Sequence, residues 1–116
     1  RRVLLPFFLY QVWPPWGGLT SGQVTLCSSS CLPPQLNMPN WPDTLRFAAA
    51  FQSQMEANYP GLTRPIFFCY RLYNMNKTPG SLLLEFGAHG NSLEEAVYSG
   101  ELCGKALAEL ILSQGE

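Results

Sequence analysis

The first 42 residues contain no acid, and their only charges are Arg1 and Arg2. Charge is sparse throughout: 13% of the 116 residues carry it, for a net −1. A chain without a basic footprint makes nucleic acid a poor partner. There is one histidine, His89, which excludes an all-histidine zinc centre, because such a site takes at least three protein ligands. The four cysteines are too sparse for a disulfide framework. Cys27 and Cys31, separated by three serines, lack a second pair at finger spacing and read as unpaired thiols. Cys69 and Cys103 read as small core hydrophobes. No apolar run is long enough to span a bilayer. Residues 3–13 are apolar but broken by Pro6; behind Arg1-Arg2 they imitate a signal peptide, without a clean small-residue cleavage site. There is no initiator Met, so the chain reads as a piece of something longer.

Hydrophobic residues make up 47% of the chain, a folding rather than a disordered composition, and the length suits one small domain. Its two halves differ. Residues 1–42 hold all three tryptophans and most of the prolines, punctuated by Pro14-Pro15, Gly17-Gly18 and Pro33-Pro34. Within them only Gln23–Ser28 reads as a strand. From Asp43 onward helix and strand signals alternate. Pro42 and Asp43 suit the first turn of a helix running to Asn58. Ala48, Phe51, Met55 and Tyr59 recur at three- and four-residue spacing along it, and Pro60-Gly61 stops it. Ile66–Arg71 is the next strand, and Tyr73–Gly80 a polar connector. A last helix spans about Leu93–Leu112, with Leu93, Ala96, Val97, Gly100, Gly104, Leu107 and Ile111 as its expected inward stripe. Gly100 and Gly104 cost helix propensity, which makes sense if that face lies close against a sheet. The first helix is a natural crossover between the Val24 and Ile66 strands, and a three-layer α/β arrangement is the default.

The stretch Ser81–Glu95 carries the chemistry. Leu82-Leu83-Leu84 has the pattern of a strand buried on both faces. It ends on Glu85, then Gly87 and Gly90 allow a turn, and Ser92 with Glu95 forms a capping box. An acid at the carboxyl end of a buried strand sits where open α/β sheets build their crevices. There it would be partly desolvated, with its pKa raised toward the acid–base range. Alternatively, Glu85 accepts the N–H groups of the glycine turn or pairs with Arg71. His89 and Asn91 belong to the same turn, with Asn91 suited to holding its shape. Arg71, Tyr73 and Asn74 end the preceding strand and either line the same crevice or are an exposed strand end. Trp13, Trp16 and Trp41 offer faces for sugars, but such residues usually anchor packing.

Three blocks carry a family resemblance: P-N-W at 39–41 with N-Y-P-G-L-T-R at 58–64; R-L-Y-N at 71–74 leading through T-P-G-S-L-L-L-E-F-G; and G-N-S-L-E-E-A at 90–96 before a helix. In this order and spacing they resemble the C-terminal part of the stage II sporulation protein P family, peptidoglycan hydrolases of spore-forming bacteria. The resemblance implies a zinc-dependent N-acetylmuramoyl-L-alanine amidase domain, three-layer with a mostly parallel sheet. Residues 23–116 would be its C-terminal part and residues 1–22 an unmatched segment. It implies cleavage of the amide between glycan and stem peptide, in the cell envelope during engulfment, with peptidoglycan and other sporulation proteins as partners. Glu85 matches the family's catalytic glutamate and Asn91 a trailing asparagine; Arg71, Asn74 and His89 are candidate substrate-binding or loop-shaping residues. The zinc of the complete domain has no ligand set here: Met38 stands where histidine is expected, and Asn76 lies where an acid is expected. No metal is therefore expected on this chain by itself, and a non-catalytic cell-wall-binding or scaffolding role is the alternative reading.

Overall fold

The computed structural model of the protein describes residues 24–29, 40–69, 73–88 and 90–115. They form a small mixed α/β unit with β1 (Val24–Ser29), α1 (Trp41–Asn58), β2 (Phe67–Cys69), β3 (Leu83–Phe86) and α2 (Leu93–Gln114). The elements appear in the order the sequence predicts. Residues 1–22, Trp13, Trp16, Cys31, Arg71 and His89 lie outside the described residues.

Helix α1 begins with Pro42 in its first turn and Asp43 near its positive end, where Arg46 pairs with Asp43 at 2.6 Å. Ala48, Phe51 and Met55 are buried along one face, as their spacing requires, and Tyr59 caps the end, half-buried. Gly61 follows with φ +88°, a conformation that glycine adopts without a Cβ penalty. Besides Thr44, two polar residues share the buried face. The Glu56 carboxylate accepts from Gly61 N–H, Thr63 N–H and the Thr63 hydroxyl, at 3.2, 2.9 and 2.9 Å. The Gln52 amide donates to the Arg64 carbonyl at 2.7 Å. Together they hold residues 61–64 against β1, where Val24 N–H donates to Leu62 and Arg64 N–H donates to Val24.

The sheet has the order β2-β1-β3. β1 and β2 run parallel, joined by α1 as the crossover. β3 runs antiparallel to β1, so the sheet is mixed rather than mostly parallel. The cause is the connector: a second parallel pairing needs a crossover long enough to hold a helix. The segment before β3 instead folds into turns at Tyr73–Asn74 and Thr78–Ser81. Nor is β3 buried on both faces. With β1 central, it is an edge among the described strands; Leu83 and Leu84 are half-buried, and Glu85 and Phe86 are exposed.

Both helices lie on one face of this sheet. Val24 and Leu26 of β1 share a single core with Ala48, Phe51 and Met55 of α1 and with Leu102, Cys103, Ala106 and Leu110 of α2. Glu109 bridges the helices by accepting from Gln54 and Asn58, at 3.1 and 2.9 Å.

The expected inward stripe of α2 is largely its outward one. Ser99, Leu102, Cys103, Ala106 and Leu110 are buried, whereas Leu93, Val97 and Ile111 are 80%, 55% and 59% exposed. The helix carries apolar residues on two sides, so periodicity defines two faces without choosing between them. The larger side chains of the Leu102–Leu110 set fill the space over α1 and β1. Among the described residues a methyl at Gly100 or Gly104 would meet nothing within 4 Å, so neither glycine serves close packing there. Gly104→Ala should therefore raise stability by about 0.5–1 kcal/mol. Urea denaturation in dilute solution checks this; a destabilised variant would mean that a neighbour occupies the space.

Candidate functional site

Glu85 is placed by strand register. Val24, Thr25 and Leu26 pair with Phe86, Glu85 and Leu84. Since Val24 and Leu26 enter the helix-side core, Thr25 and Glu85 project from the opposite face. There they line an open groove of about 560 Å³ with Arg64, Pro65, Ile66 and Phe67. Arg64 reaches the groove because Glu56 and Gln52 tie its segment to the start of β1.

This is not a crevice at the carboxyl ends of parallel strands. Because β3 is antiparallel, Glu85 near its carboxyl end pairs with Thr25 near the amino end of β1. The carboxylate is also exposed, against the expected partial desolvation. Exposure follows from the edge position of β3 and from the absence, among the described residues, of a helix on that face. Among the described residues neither Glu85 nor Arg64 is in an ion pair. The groove thus presents one carboxylate, one guanidinium, a hydroxyl and the Phe67 ring, which is 51% exposed. It can bind a ligand bearing charges of both signs and provide a proton acceptor beside them.

Asn91 shapes the turn after β3. Its side-chain oxygen accepts from Ala88 N–H at 2.8 Å, and its N–H donates to the Ala88 carbonyl at 2.9 Å. Gly87, at φ +77°, lies beneath it: a Cβ there would come within 3.4 Å of Asn91 and Ala96. Asn91 also donates to Glu95 at 3.0 Å, joining the turn to the capping box. In that box Glu95 N–H donates to the Ser92 hydroxyl and Ser92 N–H donates to the Glu95 carboxylate. Asn74 lies elsewhere. It occupies a left-handed turn at φ +62°, a conformation that asparagine tolerates, and it does not line the groove. Arg64, Gln52 and Glu56 are the residues that sequence reasoning missed. A signal for the latter two was present: they stand four apart on the Ala48–Met55 face.

Hydrogen bonds from Asn91 first, and then from the Ser92 backbone, hold the Glu95 carboxyl below its ordinary 4.5. A lowered folded-state pKa contributes stability that is present above the ordinary value and fades as pH falls through the folded one. The stability gap between wild type and Glu95→Gln should be full at neutral pH and shrink in acid. Chemical denaturation across the acid range checks the sign. Cys103 is unsuited to nucleophilic chemistry, since burial pushes its thiol up to about 11. Both Cys27 and Cys103 are buried.

Among the described residues no helix is long and apolar enough to cross a membrane. The family model described as Stage II sporulation protein P (SpoIIP) matches residues 27–111, which runs from within β1 into α2 and includes Arg64, Glu85 and Asn91. No curated protein and no solved structure matches the chain.

Proposed function

The chain belongs to the stage II sporulation protein P family, and on that premise we propose that it serves in peptidoglycan hydrolysis during sporulation. It contributes the face that meets the glycan–stem peptide amide. The observation that supports this reading is the position of Glu85, a solvent-accessible carboxylate in an open groove. Its role is proton transfer: a carboxylate takes a proton from attacking water and returns one to the departing amine. Arg64 offers a planar fork for a peptide carboxylate, and Phe67 an apolar face for a sugar or alkyl chain. The protein works in the cell envelope, as a part of a three-layer amidase-like domain.

The described residues do not fit a zinc centre. No group of three His, Cys, Asp or Glu side chains comes together among them, and Arg64 brings a positive charge into the Glu85 groove. Metal ligands for this family chemistry have to come from outside the described residues. Amide hydrolysis by this route relies on a metal to make water nucleophilic near neutral pH. The chain alone is therefore expected to bind peptidoglycan without cleaving it, which is also how a non-catalytic cell-wall module would behave.

Co-sedimentation with purified sacculi tests this reading. The protein should appear in the pellet, Arg64→Glu should move it toward the supernatant, and mass spectrometry should find no released stem peptide. Wild-type protein left entirely in the supernatant would remove the groove as a substrate face. Released peptide would show that the chain completes a hydrolytic site unaided.

A further inference from the structure

The outward face of α2 is a seam built for a second helix. Leu93, Val97, Gly100, Gly104, Ala108 and Ile111 follow each other at spacings of three and four, the pattern of a coiled-coil stripe. They lie opposite the buried Leu102–Leu110 face. The seam is bulky at both ends and small in the middle. Leu93 is 80% exposed, Val97 55% and Ile111 59%, and no described residue comes within 4 Å of a methyl built on Gly100 or Gly104. Contiguous apolar surface of this kind marks an interaction site. Glycines at its centre let two helix axes approach closely, near the lower end of the usual ~8–10 Å.

Charge on the flank selects the occupant. Glu101 and Lys105, one turn apart, border the seam on the same side and are both exposed. When two identical helices pack antiparallel about a two-fold axis, like flanks face each other. Glu101 of one copy then meets Lys105 of the other, twice. In the same register Gly100 of one copy falls between Gly104 and Ala108 of the other, and Leu93 comes within a turn of Ile111. In a parallel pair this flank would instead face the other flank, where Ala96, Leu107 and Gln114 offer no charge.

We infer that this face of α2 binds a second copy of the chain, forming an antiparallel, two-fold symmetric helix pair. The seam is one helix wide, about 33 Å long for 22 residues, so the dimer is a weak one that forms with rising concentration.

Sedimentation equilibrium of the full chain over a wide concentration range, from about 1 to 500 µM, tests this. The expected result is a monomer–dimer equilibrium. Gly104→Arg should weaken it at least about a hundredfold, by placing a long cation at the closest approach. The variant should still fold, because a side chain at 104 points into open space in the monomer; circular dichroism verifies that. Glu101→Lys or Lys105→Glu alone should weaken the dimer about tenfold by opposing like charges twice, and the double exchange should restore it. A chain that stays monomeric throughout overturns the inference. So does a dimer indifferent to Gly104→Arg, which would be joining through another surface such as a sheet edge. Failure of the double exchange to rescue would overturn the antiparallel pairing.

Discussion

An active, longer member of the family should lose at least about 10²–10⁴-fold in stem-peptide release when the residue equivalent to Glu85 is changed to Gln. Glutamine keeps the shape of the side chain and its hydrogen-bonding reach, but it cannot take a proton at neutral pH. Because Glu85 is exposed on an edge strand, the change leaves no buried group unpaired. Its effect on stability should stay within about 0.5 kcal/mol. Sacculus binding through Arg64 and Phe67 should persist, which separates loss of turnover from loss of substrate. The assay is release of free stem peptide from purified peptidoglycan, followed by mass spectrometry, beside a melting curve for each variant. Turnover at wild-type level in the Gln variant would remove Glu85 from the chemistry and leave it a groove residue only.

Phe51→Ala should destabilise the fold by about 3–5 kcal/mol. Phe51 is 1% exposed and belongs to the core that joins β1, α1 and α2. Its ring stacks at 6.0 Å on that of Phe47. Removing it opens a cavity that cannot collapse easily, because two strand residues and two helices border the same space. Small domains have a total stability of roughly 5–15 kcal/mol, and short ones sit toward the low end. The variant should therefore lose its cooperative unfolding transition at room temperature, or retain it only narrowly. Urea titration followed by tryptophan fluorescence and far-ultraviolet dichroism measures this. A loss below about 1 kcal/mol would mean that the core is centred elsewhere.

The sequence by itself determined the elements and their order. The α1 boundaries follow from Pro42, Asp43 and Pro60-Gly61, residues whose effects act within one turn of the chain. The start of α2 follows from Ser92 and Glu95 for the same reason. The buried face of α1 was legible because one side only is apolar, and Glu85 was legible as an acid closing a leucine run before a glycine turn. Tertiary structure decided what depends on neighbours. The direction of β3 rests on a connector that folds into turns instead of a helix, which no local pattern in Leu82–Phe86 records. That direction puts Glu85 beside Thr25 and Arg64 on an open face, where it is exposed, rather than in a desolvated crevice. Helix α2 offers two apolar sides, and only packing against α1 and β1 selects Leu102, Cys103, Ala106 and Leu110 for the core. The other side, with its two glycines, is left facing outward. Periodicity states which residues share a face, but burial is a property of what lies across from it.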